Sequence, residues 1–444
     1  MHTLAQLRSG ELAGIRRLDL SCGLSELPRE VFDLADTLEV LNLSGNALST
    51  LPDDLPRLTR LRVLFCSDNS FTELPAVVGQ CPALDTVGFK ANRIRHVPAA
   101  ALSPQLRWLI LTDNCITELP AAIGRCTRLQ KLMLAGNQLT QLPAEMAGCT
   151  GLELLRIAAN QLASLPAWLF DLPRLSWLAY AGNPFSDISE AEAVAEHPAA
   201  DIAWPRLTLQ TQLGEGASGV IHRALWQRDT ASAPALPVAV KLFKGAVTSD
   251  GLPRSEMDAC IAAGRHPNLI PVEGRISGHP QATPGLVMQL IDPVFRNLAG
   301  PPSLASCTRD VYPPGTRWSA DTAVKMARGL AAATAHLHAR GILHGDLYAH
   351  NTLWNGAGDC LIGDFGAASF FAPGAAAQSQ ALQRLEVRAY GCLLEELLQH
   401  CDEPAAVAND SRLTQLAALK ARCLQAPLAQ RPLMDEIECE LAAL

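Results

Sequence analysis

The stretch LQKLMLAGNQLTQLP, residues 129–143, decides the fold of the first half of the chain. Its leucines and asparagine occupy the frame LxxLxLxxNxLxxLP, and this frame returns along the chain. An earlier copy at residues 15–28 has Gly23 at the asparagine position, so we count eight copies. A fixed period of 22 or 23 residues indicates a solenoid. The repeated asparagines are Asn46, Asn69, Asn92, Asn114, Asn137, Asn160 and Asn183.

The repeated leucines predict a core that all copies share. A coil of 23 residues cannot bury its leucines alone, so the coils stack and each contributes a short strand to a parallel sheet. We expect the asparagine side chains to satisfy backbone groups where the chain leaves each strand. The pattern resembles leucine-rich repeats with an LP ending, over roughly residues 15–186. We therefore predict a repeat domain with its caps at residues 1–200 and a second domain at 201–444.

The positions beside the strand leucines are predicted to point out of the concave face of the solenoid. Many of them are apolar, and an exposed apolar stripe predicts a docking surface for a protein substrate or regulator. The alternative is that these side chains cover one another or are shielded by the second domain. The predicted stripe consists of Val40, Val63, Phe65, Trp108, Ile110, Met133, Leu154 and Trp177.

The overall composition describes a globular protein and limits its partners. The chain has 444 residues, of which 48% are hydrophobic and 18% charged, and its net charge is -8. Neither half is basic, which argues against nucleic acid as a partner. No apolar run has the length of a signal peptide or a membrane span. With 13 scattered cysteines, we expect a cytoplasmic chain with reduced thiols, and its alanine-rich, lysine-poor composition is typical of GC-rich bacterial genomes.

A glycine-rich string opens the second half. In LGEGASGV, residues 213–220, the glycines Gly214, Gly216 and Gly219 have GxGxxG spacing and Val220 follows them. A strand-like run, LPVAVKLF, comes next, which favours a hairpin over phosphates rather than a dinucleotide fold. Lys241 lies in that run, and a buried lysine needs a counter-charge. Glu256, on a helical pattern fifteen residues later, is the candidate.

Two further motifs follow the glycine string and VAVK along the chain. HGDLYAHN, residues 344–351, contains Asp346 and Asn351, and LIGDFGAAS contains Asp364. The glycine string, VAVK, Glu256, HxDxxxxN and DFG together resemble the protein kinase family over about residues 207–443. The resemblance implies a bilobal α+β kinase-like domain behind an α/β leucine-rich repeat solenoid with its parallel sheet on the concave face.

The kinase resemblance implies a role for each motif residue. Lys241, held by Glu256, would bind the α and β phosphates of ATP, and the glycine hairpin would cover them. Asp364 and Asn351 would bind Mg²⁺ through oxygen atoms, and Asp346 would orient the acceptor hydroxyl and take its proton. The residues implied around the adenine, with Met288 at the gate of the hinge 289–291, are Val220, Ala239, Met288, Gln289, Ile291 and Leu353.

The chain also departs from the kinase pattern. Gly345 replaces the arginine that pairs with a phosphorylated activation loop in many kinases, so activation by that route is not expected. Glu386 stands in for an aspartate in EVRAYG, and no APE motif precedes it. Arg431, the usual partner of the APE glutamate, is therefore expected to find another carboxylate, such as Glu395 or Glu396, unless this part of the lobe is rearranged. Tyr348 stands where serine/threonine kinases carry a lysine.

Three functions remain open at this point. The intact motif set favours a Mg²⁺- and ATP-dependent protein kinase, more for serine or threonine than for tyrosine, whose repeats bind a substrate or regulator. The missing APE motif and Glu386 favour a binding module with a kinase-like scaffold that transfers nothing. HGDxxxxN also resembles the loop of aminoglycoside and choline phosphotransferases, which act on small molecules.

Overall fold

A computed structural model describes residues 2–228, 234–374, 376–401 and 410–444. The chain divides into two compact units, Met1–Arg174 and Leu175–Leu444. The sequence places the domain boundary near residue 200, whereas the last repeat copy, with Trp177 and Asn183, belongs to the second compact unit because its side chains pack there. No helix in the described ranges has the length and apolarity that crossing a membrane requires.

The first unit is a run of short parallel strands joined by 3₁₀ segments, which confirms the predicted solenoid fold. Seven strands pair with their chain neighbours, and each strand leucine, such as Leu41 or Leu109, is fully buried. The first helix is α1 (Leu4–Arg8). The strands are β1 (Arg17–Asp19), β2 (Val40–Asn42), β3 (Val63–Phe65), β4 (Thr86–Gly88), β5 (Trp108–Ile110), β6 (Lys131–Met133) and β7 (Leu154–Arg156). The 3₁₀ segments are Arg29–Leu34, Leu55–Arg57, Ala76–Gln80, Ala99–Ala101, Ala121–Arg125, Ala144–Gly148 and Ala167–Asp171.

Asparagine side chains join successive coils. Asn137 Oδ1 accepts a hydrogen bond from the Ile116 amide at 3.0 Å, and its Nδ2 donates to the carbonyls of Leu111 and Leu134, both at 2.9 Å. The residue before each repeated asparagine has a positive φ, for example +70° at Gly136. This turn directs the asparagine inward, where it satisfies backbone groups that no strand partner reaches.

The apolar stripe is not uniformly exposed, which corrects the expectation from sequence. Val63, Met133, Leu154 and Trp177 are buried, whereas the remaining four are half-buried. Strands lie about 4.8 Å apart, so large side chains on neighbouring strands cover one another. Trp108 illustrates this, because its Nε1 lies 3.4 Å from Met133 Sδ. The half-buried members are Val40, Phe65, Trp108 and Ile110.

The second unit begins with the last repeat strand and then forms a kinase-like domain. A six-stranded sheet packs against helix α3 (Pro253–Ala263), and a mostly helical lobe follows. The order of its strands is β10 (Leu207–Glu215), β11 (Gly219–Trp226), β12 (Leu236–Phe243), β14 (Gly285–Gln289), β13 (Val272–Ser277) and β9 (Asp201–Ala203). Strand β9, parallel to β13, is an addition that the sequence pattern did not reveal. The helices are α2 (Asp187–Glu196), α3 (Pro253–Ala263), α4 (Ala320–Ala339), α5 (Ala377–Gln399), α6 (Ser411–Cys423) and α7 (Met434–Ala442).

The strands of the second unit form the large sheet and three smaller pairings that carry the loops of the site. Strand β8 (Trp177–Ala179) is the last repeat strand, and the large sheet contains β9 to β14. The remaining strands are β15 (Arg296–Asn297), β16 (Ile342–Leu343), β17 (Thr352–Trp354), β18 (Cys360–Ile362) and β19 (Ser369–Phe370). Strands β15, β17 and β18 form one small sheet, and β16 pairs with β19.

Replacing Asn137 by alanine should loosen the solenoid locally. The change leaves the buried Ile116 amide and two carbonyls without partners, so the free energy of opening should fall by about 2 kcal/mol, or roughly 30-fold in the opening equilibrium. Hydrogen exchange of the β5 and β6 amides in the full chain measures this. Asn46→Ala is the matched control, because Asn46 is half-buried and water can replace it. Equal effects at both positions would contradict the bridging role.

Candidate active site

A tight hairpin between β10 and β11 carries the glycine string. The Gly216 amide donates to the Gly219 carbonyl at 2.9 Å and closes the tip. A Cβ added to Gly219 would lie 2.4 Å from the Leu242 carbonyl oxygen, whereas one added to Gly214 or Gly216 would meet nothing within 4 Å. Gly219 therefore permits close packing of the hairpin on β12, and the other two glycines leave the space beside the tip open to a ligand.

Lys241 and Glu256 form a buried ion pair, as the sequence predicts. The Lys241 ammonium donates to Glu256 Oε1, and the two side chains are 13% and 2% exposed. Burial alone would lower the pKa of Lys241, but the Glu256 carboxylate outweighs it and raises that pKa above its usual value. The lysine is therefore a fixed positive charge, supplied by β12 and held by α3.

A cavity of about 210 Å³ surrounds this pair. It brings together six residues that the sequence predicted: Gly216, Gly219, Lys241, Glu256, Met288 and Asp364. Apolar contacts come from Ile221, Ile270 and Val272, and Phe365 closes one side. A site with one fixed cation, the carboxylates of Asp250, Glu256 and Asp364, and an apolar wall suits a ligand that has a planar apolar part and an anionic part.

The cavity wall contains Ile221 rather than the predicted Val220. Ile221 pairs with Lys241 across β11 and β12, and directly opposed side chains share one face of a sheet. Val220 pairs with Leu242 and faces the other side, which corrects the prediction by one residue. Ala239 lies on the face of Lys241 and opposite Met288. The other predicted residues that lie outside this wall are Gly214, Ala239, Gln289, Ile291, Leu353, Asp346 and Asn351.

Asp346 and Asn351 lie together in the loop between β16 and β17. Asn351 Nδ2 donates to the Asp346 carboxylate at 2.8 Å and to its carbonyl at 3.0 Å, which leaves the amide oxygen as a possible ligand atom. Asp364 is exposed and has a φ of +55°. Carboxylate and amide oxygens suit Mg²⁺, which binds to few protein ligands and completes its shell with water and phosphate. Asp364 and Asn351 therefore fit a magnesium site.

His344 connects the segment that carries Asp346 with the segment that carries Asp364. It is fully buried, and its Nε2 donates to the Gly363 carbonyl, just before Asp364, at 3.0 Å. Its Nδ1 accepts from the Asp346 amide at 3.3 Å. The Phe365 ring lies 5.1 Å from the His344 ring. The His344 imidazole thus fixes the backbone at Asp346 and the backbone next to Asp364.

Glu386 accepts hydrogen bonds from the loop that carries Asp346, residues 344–351. Its Oε1 accepts from the Gly345 amide at 2.6 Å, and its Oε2 accepts from the His344 amide at 3.2 Å. His338 Nε2 donates to Oε2 at 2.8 Å. Burial would raise the pKa of Glu386, but the hydrogen bond from His338 and that from Gly345 outweigh it and lower that pKa. The glutamate is therefore an ionised acceptor for the loop, despite the missing aspartate.

Arg431 and the two candidate glutamates have separate surroundings. Arg431 is buried and donates to the carbonyl oxygens of Gln425, Arg384 and Ala426 at 2.8, 3.2 and 3.3 Å. Glu395 and Glu396 instead pair with Arg309, and Tyr312 donates to Glu396 at 3.0 Å. Arg431 therefore donates to backbone carbonyls, whereas the sequence suggested Glu395 or Glu396 as its partner. This part of the lobe is rearranged.

The structure reveals a partner for His350 that sequence reasoning missed. His350 Nδ1 donates to Asp310 Oδ1 at 2.7 Å, and the His350 amide donates to Oδ2 at 3.0 Å. Burial would lower the pKa of His350, but the hydrogen bond to Asp310 outweighs it and raises that pKa. Asp310 lies forty residues upstream in an irregular segment, so no local pattern could have identified it. The pair fixes the 3₁₀ turn Ala349–Asn351.

Comparisons with known proteins agree with this geometry. A family model described as protein tyrosine and serine/threonine kinase matches residues 207–441, and leucine-rich repeat models match residues 127–185 and 37–58. A "Probable serine/threonine-protein kinase" of Arabidopsis thaliana is 33% identical over 108 residues, which is 24% of this chain and 17% of that protein. Leucine-rich repeat-containing protein 7 of Homo sapiens is 40% identical over 70 residues, or 16% and 5%.

Another similar protein has a name that describes it as an inactive kinase. The "Probable inactive serine/threonine-protein kinase roco10" of Dictyostelium discoideum is 35% identical over 89 residues, which is 19% of this chain and 3% of that protein. The chain spans less than a fifth of the length of each of these three relatives. They come from a plant, a human and an amoeba, and give no support to the bacterial origin that composition suggested. Since the kinase model covers more than half of the chain, the protein belongs to the protein tyrosine and serine/threonine kinase family, with leucine-rich repeats ahead of its kinase domain.

Proposed function

We propose that the chain is an active Mg²⁺- and ATP-dependent protein kinase that phosphorylates serine or threonine. The observation that carries the proposal is the buried Lys241–Glu256 pair in one cavity with Asp364. Phosphoryl transfer depends on positioned charges more than on covalent chemistry by the protein. Burying a fixed cation is costly, so its presence in this cavity supports binding of an anionic nucleotide, whereas turnover is what distinguishes an active kinase from a scaffold that binds ATP but transfers nothing.

Each residue of the site then has a task. Lys241 binds the α and β phosphates, and the hairpin at Gly216 covers them with backbone amides. Bound Mg²⁺ neutralises charge on the phosphates, and Asp364 and Asn351 are the side chains that would hold it. Asp346 orients the acceptor hydroxyl and takes its proton, and its bond from Asn351 fixes its direction.

The acceptor and the partner are further parts of the proposal. The serine/threonine class is supported by the name of the Arabidopsis relative. A protein substrate or regulator would dock on the half-buried residues Val40, Phe65, Trp108 and Ile110 of the repeats. All 13 cysteines are free thiols, which supports a location in the reducing cytoplasm.

A small-molecule acceptor is the second candidate, and one observation favours it. Strand β19 ends at Phe370 and helix α5 begins at Ala377, so few residues follow Asp364 before the helix that carries Glu386. In protein kinases this interval contains the segment that docks a peptide. A short interval leaves more room beside Asp346 for a compact alcohol.

Phosphotransfer by the full chain should depend on both aspartates. We expect wild type with labelled ATP and Mg²⁺ to label itself or a generic protein acceptor on serine or threonine. Asp364→Asn and Asp346→Ala should lower the rate by at least about 100-fold, because each removes a charge that acts in the transition state. Phosphoamino-acid analysis identifies the acceptor hydroxyl.

Two controls separate the alternatives in the labelling experiment. Asp359→Asn changes an exposed aspartate that pairs with Lys325 and should leave the rate unchanged. A panel of small alcohols, followed by ATP consumption, tests the second candidate. Nucleotide binding without turnover on any acceptor would contradict the proposed activity and favour a scaffold.

Ile221→Ala should weaken ATP binding more than Val220→Ala. Removing three carbons from the cavity wall should cost about 2 kcal/mol, or roughly 30-fold in the Kd for ATP. Val220 lies on the other face of the same strand and is likewise half-buried, so it is the matched control. Titration of both variants with ATP measures the difference. A larger loss for Val220→Ala would restore the assignment from sequence.

Glu386→Gln should disorder the catalytic loop. The amide keeps the size of the side chain but removes the buried charge that accepts from Gly345, His344 and His338. The free energy of unfolding of the second unit should fall by about 3 kcal/mol, as when one partner of a buried charged network is lost.

Urea denaturation measures this effect, with Glu395→Gln on the same helix as the control. Its half-exposed pair with Arg309 should contribute less than about 1 kcal/mol. Comparable losses in the two variants would show that Glu386 has no special role.

A further inference from the structure

We infer that the last leucine-rich repeat coil, residues 175–183, is a built-in positioning element of the kinase site. It holds the catalytic loop and the segment after Asp364 in place without a phosphorylated residue. The inference rests on the proposed phosphotransfer activity for its kinetic consequence, although its structural content is independent of that activity. Four contacts within the second unit support it.

Trp177 contacts the catalytic loop directly. Its Nε1 donates to the Leu347 carbonyl at 3.1 Å, one residue after Asp346. Its ring stacks on the Tyr348 ring with centroids 4.3 Å apart and planes 7° from parallel. Both side chains are almost completely buried, at 2% and 3% exposure. The residue that replaces the usual lysine of serine/threonine kinases is therefore a docking site for the coil.

Tyr180 contacts the other catalytic segment. Its hydroxyl donates to the Phe370 carbonyl at 3.1 Å, and its amide donates to Ser369 Oγ at 2.8 Å. Ser369 and Phe370 form β19, which pairs with β16 immediately before His344. The coil thus joins the backbone that follows Asp364 to the backbone that precedes Asp346.

Gly345 allows the coil and the segment after Asp364 to approach the loop closely. A Cβ at this position would lie 2.9 Å from the Leu178 carbonyl oxygen and 2.3 Å from that of Ala367, and the φ of Gly345 is +71°. Neither distance is tolerated by a side chain, and the backbone conformation also favours glycine. The missing arginine is explained, because the coil and the segment after Asp364 occupy the space that its side chain would need.

The chain that follows the coil reaches the third part of the site. Helix α2 packs against α3, the helix that carries Glu256. The coil and α2 together therefore contact the supports of Asp346, Asp364 and Lys241.

The test compares variants of the full chain that change only this contact. Trp177→Ala should lower kcat by about 10- to 100-fold, as expected when reacting groups lose their alignment. KM for ATP should change less than twofold, because the nucleotide cavity does not contain Trp177. Amide exchange at residues 345–350 and 367–371 should become faster. Trp177→Phe keeps the ring stack and should recover most of both properties.

Tyr180→Phe and Trp168→Ala provide the remaining comparisons. Tyr180→Phe removes only the hydroxyl that binds the Phe370 carbonyl, so it should speed exchange at residues 367–371 and lower kcat by a few-fold. Trp168, half-buried in the segment Ala167–Asp171, is the matched tryptophan and should have no effect on kcat. If Trp177→Ala does not fold, Trp177→Phe and Tyr180→Phe decide the question on the same readouts.

Wild-type exchange in both segments and unchanged kcat in Trp177→Ala would overturn the inference. A rise in KM for ATP that equals the fall in kcat would also overturn it, because that result indicates general loss of structure. If wild type transfers no phosphate to any acceptor, the proposed function fails, whereas the exchange measurement still decides whether the coil positions the loop.

Discussion

The buried carboxylate of Glu386 provides the interaction on which the loop of Asp346 and Asn351 depends. Taking a carboxylate out of water costs several kcal/mol, so it is tolerated only when hydrogen bonds surround it. The His344 and Gly345 amides and the His338 ring supply three of them. Helix α5 thereby fixes the start of the loop at His344 and Gly345. His344 in turn donates to the Gly363 carbonyl and so fixes the backbone next to Asp364. The substitution of aspartate by glutamate changes the length of the support but keeps its charge and its acceptors.

In the repeat unit, neutral asparagine side chains satisfy the buried backbone groups. At each turn the chain leaves its strand, and backbone groups there have no strand partner. Asn137 satisfies three such groups with one amide, which both donates and accepts. A carboxylate could only accept, so asparagine is required in the repeats, whereas Glu386 faces donors only. The chemistry of the backbone groups to be satisfied therefore explains which polar residue is buried in each unit.

Sequence reasoning identified those parts of the molecule whose pattern is local. The 23-residue period predicted the strands of the first unit, and motif order predicted the Lys241–Glu256 pair and the proximity of Asp346 and Asn351. The sequence predicted less reliably which side chains of a strand face the cavity. An error of one residue placed Val220 in the cavity wall, where the structure has Ile221. Asp310, His338 and the stack of Trp177 on Tyr348 were beyond reach, because each joins segments that are far apart in the chain and carries no motif.

Two departures from the kinase pattern, Gly345 and Tyr348, have one physical explanation. Gly345 replaces the arginine that would pair with a phosphorylated activation loop, Tyr348 leaves the acceptor class open, and both contact residues 175–183. A position that has lost its function is free to vary in any direction, whereas these two fit a specific neighbour through a close backbone approach and a parallel ring stack. They therefore indicate a replaced support rather than a missing one. The Trp177–Leu347 hydrogen bond joins this support to the backbone one residue after Asp346.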